Sequence, residues 1–159
     1  MNSQIIKGLN SYLVFQLGPE KFAANIGHVK KILEMSRITK VPHAPDLYLG
    51  VINLFGEILP VVDGRKKFDF QEAEITNNTC IIVFMLPVDG DVYQVGMVVD
   101  QVLQVADLTG GGLSSPPRTG KKFRFEFISS IARLRDEFIL VLNMEKLFEK
   151  DLKTIITDL

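Results

Sequence analysis

Tryptophan is absent from the 159 residues, cysteine occurs once, histidine twice, and neither sign of charge is in excess. A single cysteine rules out an internal disulfide, and with it a small scaffold held together by cross-links. Cys80 lies within the apolar run CIIVFML, where a buried, unreactive thiol is expected, and a reducing compartment suits it. His28 and His43 stand alone, with no Cys-x-x-Cys or His-x-x-x-His spacing to build a metal site. They read as surface or capping residues. Eighteen basic residues against nineteen acidic ones give a formal charge of −1, so no electrostatic pull toward nucleic acid or an anionic membrane is expected. No apolar run approaches the roughly 18 residues of a membrane span. The start, MNSQIIKGLNSYLVF, lacks a basic segment leading into a long apolar one, so neither a signal peptide nor membrane insertion is expected. A cytoplasmic protein is the expectation.

Catalytic sets are missing as well. Ser114 and Ser115 are not framed by the glycines of a nucleophile elbow. Gly110, Gly111 and Gly112 are not followed by Gly-Lys-Ser/Thr, so a loop is expected there and not a phosphate cradle. Asp100 closes a strand-like run and reads as a structural residue. Acid, base and nucleophile never converge in the sequence, so no enzyme, cofactor or metal is expected. The segment Arg118, Lys121, Lys122 and Arg124, interleaved with Phe123 and Phe125, keeps open one alternative, a small nucleic-acid- or ligand-binding β-barrel.

What the chain has in quantity is short apolar runs bounded by turn residues. Tyr12–Leu17 and Phe22–Ile26 flank the Gly18-Pro19 turn signal. Val29, Ile32 and Leu33 have helical spacing and predict a turn of helix. Val51–Phe55 and Ile58–Val62 predict a hairpin about Gly56-Glu57, with Pro60 placing the second strand at an edge or a bulge. Cys80–Leu86 and Tyr93–Val99 flank an Asp89-Gly90 turn, followed by Val102–Val105. Residues 107–122 read as a long loop. Phe125–Ile131 pairs with Phe138–Leu142, and Glu145 onward reads as an amphipathic C-terminal helix. An all-β barrel or sandwich follows from this spacing.

The chain also repeats itself. Aligning 50–68 with 130–148 without gaps gives five identities in nineteen positions: Leu54/Leu134, Glu57/Glu137, Val61/Val141, Lys66/Lys146 and Phe68/Phe148. Asp63/Asn143 and Leu59/Ile139 are near-isosteric. LVFQL and IVFML each open a hairpin, followed by Ile26/Val29/Ile32 in one case and Val99/Val102/Val105 in the other. Two copies of a five-strand unit are expected, roughly 11–70 and 79–149, with strand exchange between them open.

YLVFQLGPEKFA, VPHAPDLYLGVINLFGEILPVVDGRKKF, GMVVDQVLQV and RDEFILVLNMEKLF together resemble the CheW-like chemotaxis coupling family over residues 11–149. Its most specific run is APxxxxGVINLxGxIxPVVDxRxxF. The resemblance implies two small SH3-like five-stranded barrels packed around a shared hydrophobic core; the spacing from Glu145 onward adds a helical tail, 150–159, beyond it. It implies an adaptor that joins the regulatory domain of a CheA-type histidine kinase to the cytoplasmic hairpin tips of chemoreceptors, placed at the membrane through receptor arrays. Val29, Lys31, Gly50, Phe55, Val98 and Val99 are the receptor-groove positions it implies, Gly50 by letting a partner backbone approach. Leu17, Ala24 and Ile26 are the kinase-interface positions. Asp63 matches the aspartate of the PVVD run, with a structural role expected in turning the chain and an ion pair to Arg65 as an option. The sequence departs from the family pattern at Lys31 and Phe55, where Glu and Arg are usual, and at Gly64, where Leu is usual. Two readings of that pair stay open: the Lys31 stem lies over the Phe55 ring, or Phe55 simply adds apolar surface to a binding face. A divergent CheW-like module with another receptor or signalling partner is the alternative those departures raise.

Overall fold

A computed structural model describes residues 10–110, 113–114 and 125–158 of the chain. Its strands are β1 (Ser11–Leu17), β2 (Glu20–Asn25), β3 (Val29–Glu34), β4 (Tyr48–Leu54), β5 (Glu57–Asp63), β6 (Cys80–Val88), β7 (Asp91–Val99), β8 (Gln101–Asp107), β9 (Leu113–Ser114), β10 (Ile128–Leu134) and β11 (Glu137–Leu142). A short helix, Gly64–Lys67, follows β5, and a longer one, Met144–Asp158, follows β11. The strands form two sheets, in the orders β8-β1-β2-β11-β10-β9 and β3-β6-β7-β5-β4. The fold is two SH3-like barrels with a C-terminal helix. The basic segment 118–124 and Gly111-Gly112 lie outside the described residues.

The sheets do not follow the halves of the sequence. The first takes β1 and β2 from the first half and its remaining strands from the second. The second sheet reverses this, pairing β6 and β7 with β3, β4 and β5. Two parallel contacts make the junctions, Phe22↔Leu140 and Ala23↔Val141 in one sheet, Val61↔Gly96 and Val62↔Met97 in the other. The β4–β5 and β10–β11 hairpins share one register at an offset of 80 residues. Leu54↔Glu57, Ile52↔Leu59 and Gly50↔Val61 correspond to Leu134↔Glu137, Ala132↔Ile139 and Ser130↔Val141.

Alternation along the strands separates three cores. Leu13, Phe15 and Leu17 of β1 point with Ile82, Phe84 and Leu86 of β6 into a core shared by the two sheets. The intervening Val14 points into the first barrel, beside Ala23, Ile139 and Val141. Ile81 and Val83 point into the second, beside Leu59 and Val61. A strand buried on both faces must read as a continuous apolar run, which accounts for LVFQL and CIIVFML. Gly96 keeps the second barrel closed at its centre, because a Cβ there would lie 2.9 Å from Ile81 Cγ2. Met144, Leu147, Phe148 and Leu152 of the C-terminal helix complete the shared core. Lys67 clamps that helix through Asp151 at 2.7 Å and lies 4.8 Å from the Phe127 ring centroid.

Three local expectations change. Val29–Glu34 is a strand, not a helical turn; only Ile26–His28 coils, as a short 3₁₀ turn. A bulge between Val29 and Lys31 adds one residue, so Val29 and Ile32 pair with Phe84 and Ile82 and face the same side. Three-residue spacing therefore belongs to a bulged strand here, and β8 repeats it with Val102 opposite Phe15 and Val105 opposite Leu13. The tight turn of the β4–β5 hairpin is Phe55-Gly56, one residue earlier than the Gly56-Glu57 signal. Pro60 lies on an inner strand, not an edge. Its neighbour Val51 directs both backbone groups to Thr39, each at 2.9 Å, so the nitrogen of Pro60 faces β7, where the ladder begins only at Val61.

The fold makes two measurable demands. Phe84→Ala removes a ring that is wholly buried between the barrels and is expected to cost about 3–5 kcal/mol of stability in a denaturant titration. Burial pushes the Cys80 thiol above its ordinary range, against a smaller opposing effect of a backbone hydrogen bond at Val102. The thiolate is therefore scarce at neutral pH, and iodoacetamide at pH 8 is expected to label Cys80 more slowly than a free cysteine peptide, the difference closing on unfolding.

Candidate partner-binding site

The second barrel closes where β3 passes the β4–β5 turn. Lys31 Nζ lies 5.1 Å from the centroid of the Phe55 ring, one of the two readings the sequence left open, and a contact with a typical value of about 0.5–1 kcal/mol when exposed. Phe55 is the most open large apolar side chain among the described residues, at 91% exposure. Asn53 Oδ1 accepts the Gly56 N–H at 2.8 Å and fixes the turn beneath it.

The other sequence-selected positions separate by burial. Val29 is half-buried and packs on the rim of the shared core, as does Ile26. Val98 is half-buried and lines a cleft of about 270 Å³ with Met35, Leu49, Arg65 and Asp100. Leu17, Ala24 and Val99 are fully buried in the shared core, so their side chains join the barrels and offer no surface to a partner. Their runs were apolar on both faces, and the sequence did not show which face is covered. Gly50 is also buried, and the backbone that approaches it is the chain's own. A Cβ there would sit 2.1 Å from the Thr39 carbonyl oxygen, and its φ of +145° disfavours any L side chain.

Sequence reasoning missed a polar hub. Asp100 accepts Arg65 Nε at 2.6 Å and the Gly18 N–H at 2.7 Å, while a second Arg65 nitrogen reaches its other oxygen at 2.6 Å. This two-pronged pair ties both halves to the β1–β2 turn. Arg65 therefore pairs with Asp100, not Asp63. Asp63 instead caps the short helix by accepting the Arg65 N–H at 3.0 Å, and Asn143, its counterpart at the offset of 80, caps the C-terminal helix through the Lys146 N–H at 3.1 Å. Gly64 has no room for the larger side chain usual in the family pattern, since a Cβ would meet the Val98 carbonyl oxygen at 2.7 Å. From Lys66 a hydrogen bond to Glu72 pins the start of the 71–79 linker and holds the ammonium above its ordinary value. Ile58 and Phe138, equivalent positions of the two hairpins, are each 66% exposed. Their outward position on strands with buried neighbours was the available signal.

Among the described residues no group of three His, Cys, Asp or Glu side chains could hold a metal ion, and no helix is long and apolar enough to cross a membrane. Two interlocked barrels with exposed apolar tips define a scaffold class of protein, one that works through its surfaces. Residues 11–152 match the family model of the CheW-like domain, and the chain belongs to that family of chemotaxis scaffold and adaptor proteins. It is 30% identical to chemotaxis protein CheW of Klebsiella aerogenes over 88% of this chain and 82% of that protein. It is 28% identical to CheW of Bacillus subtilis, over 92% and 91% of the respective chains. The crystal structure of the scaffolding protein TtCheW from Thermoanaerobacter tengcongensis superposes with a TM-score of 0.77 at 28% identity, covering 88% of both chains.

Gly50→Ala forces a methyl group into the Thr39 carbonyl and adds backbone strain. It is expected to destabilise the protein by about 2–5 kcal/mol, read as a fall in the denaturation midpoint.

Proposed function

We propose that the protein couples the cytoplasmic hairpin tips of chemoreceptors to a CheA-type histidine kinase through the kinase's regulatory domain. The observation that carries this reading is two barrels locked over one core, a rigid body with separate surfaces. Residues 11–149 act as one unit, joined to the tail by the helix Met144–Asp158. The receptor side uses Lys31 and Phe55, with Val29 and Val98 at the margins and Gly50 and Val99 as support from within. The kinase side lies by the β1–β2 hairpin, with Ile26 at its surface and Leu17 and Ala24 holding it from the core. The protein works in the cytoplasm, and the receptors place it at the membrane.

Geometry supports a role as spacer. Folding the two barrels onto one core fixes their relative orientation, so a partner on one is held at a set distance from a partner on the other. The protein is expected to co-elute with the isolated regulatory domain of the kinase and to raise the kinase recovered with receptor-containing membranes on sedimentation. Recovery and kinase activity that do not change with added protein would overturn the reading.

A further inference from the structure

The chain passes between the two sheets twice. β2 leads into β3 through Ile26–His28, and β7 leads into β8 through Asp100 alone. The first crossing is closed locally, with Asn25 Oδ1 accepting the Gly27 N–H at 2.8 Å. The second is held from both barrels. The Asp100 N–H donates to the Gln16 carbonyl at 3.0 Å, and its carboxylate accepts the Gly18 N–H at 2.7 Å, both in the first barrel. The same carboxylate takes two nitrogens of Arg65, which follows β5 of the second barrel, each at 2.6 Å. The remaining nitrogen of Arg65 donates to the Gln71 carbonyl at 2.8 Å, so the linker fixes the guanidinium in turn.

These contacts differ in kind from the apolar layer on which the barrels meet. Burial of apolar surface is favourable over a range of closely similar angles, since it has no direction of its own. A planar guanidinium fork on a carboxylate has one geometry. The two side chains are only 22% and 24% exposed. A pair so placed adds little net stability over well-packed apolar residues, because desolvation offsets most of the attraction. What it can supply is a single arrangement. Gly18 is closed from the other side as well: a Cβ there would lie 3.2 Å from the Phe70 ring, which packs near Phe22 and Phe68. The β1–β2 turn is thus seated between residues that follow β5 and the residue that ends β7.

We propose that Arg65 and Asp100 are positioning residues, a latch at the crossing that sets the angle between the barrels and with it the geometry in which one partner meets the other. The proposal rests on the coupling reading, in which the two partners sit on different barrels. The shared core keeps the barrels together with or without the pair. Without it the β7–β8 crossing turns about a single residue, and a small rotation there displaces surfaces at the far ends of both barrels. Binding of either partner alone uses one barrel and does not sense the angle. Activation of the kinase in the three-part assembly needs both barrels and does sense it.

The test compares the parent protein with Asp100→Asn, Arg65→Gln and Arg65→Lys. Asp100→Asn keeps an acceptor for the Gly18 N–H and loses the charge; Arg65→Lys keeps the charge and loses the fork. Spin labels on Val92→Cys in the second barrel and Phe138→Cys in the first, both exposed positions, read the inter-barrel distance in a Cys80→Ala background. The parent is expected to give one narrow distribution, Asp100→Asn and Arg65→Gln a wider one, and Arg65→Lys a width between. Separate titrations with a receptor hairpin-tip fragment and with the kinase regulatory domain are expected to shift less than about twofold. Receptor-dependent kinase activity, at saturating concentrations of all three proteins, is expected to fall at least about fivefold. Asp100→Asn and Arg65→Lys carry the same comparison where Arg65→Gln does not fold. Unchanged distance distributions overturn the latch. Wider distributions with undiminished kinase activity overturn its role in coupling, as does an equal loss of both affinities and activity, the mark of a merely structural tie. A parent protein that binds both partners and leaves kinase activity unchanged overturns the coupling reading, and the distance measurement alone then decides the latch.

Discussion

Strands β1 and β6 are buried on both faces, and the rest of the architecture answers to that constraint. One face of each strand fills its own barrel and the other meets the partner strand across the shared core, with Phe15 and Phe84 among its largest fully buried side chains. Dispersion and desolvation across this layer accumulate over many apolar contacts, each small. The C-terminal helix and the Lys67–Asp151 clamp close the remaining opening. A barrel separated from its neighbour would expose that layer, so neither barrel is an independent domain in energetic terms. For an adaptor this matters because rigidity between surfaces comes from the core and not from the surfaces themselves.

Much of this was legible in the residues. Asp89-Gly90 announced its turn because φ above zero has few tolerable side chains, and the repeat at an offset of 80 surfaced because hairpin register constrains the same positions twice. The contact of Lys31 with Phe55 was legible as well, from two departures that compensate one another. What stayed hidden has physical causes. Apolar residues three apart mark a helix face or a bulged strand alike, so Val29–Glu34 was read in the wrong period. Two-sided burial makes the core face and the interface face chemically identical, so nothing in the residues showed that Leu17, Ala24 and Val99, contact positions taken from the resemblance, lie in the shared core. The Arg65–Asp100 pair spans 35 residues and two halves of the chain, a distance over which local pattern carries no information.

The polar hub and the apolar tip mark opposite strategies. Asp100 collects a guanidinium and a backbone N–H at one junction and so leaves few polar groups unsatisfied there. Phe55 leaves a ring in water and a backbone in an unfavourable region, offset within the molecule by the Lys31 contact. The first stabilises the junction between the halves; the second sits at an exposed hairpin tip.

The crossing of strands between sheets has a consequence for how such a protein varies. No barrel is encoded by one contiguous half of the sequence, so a surface on either barrel is supported by residues inherited from both. A substitution that loosens β5 is felt across the Val62–Met97 pairing in a strand of the other half, so the acceptability of a change in one half depends on the state of the other. The two hairpins that share a register are therefore bound by one another's packing and do not vary independently.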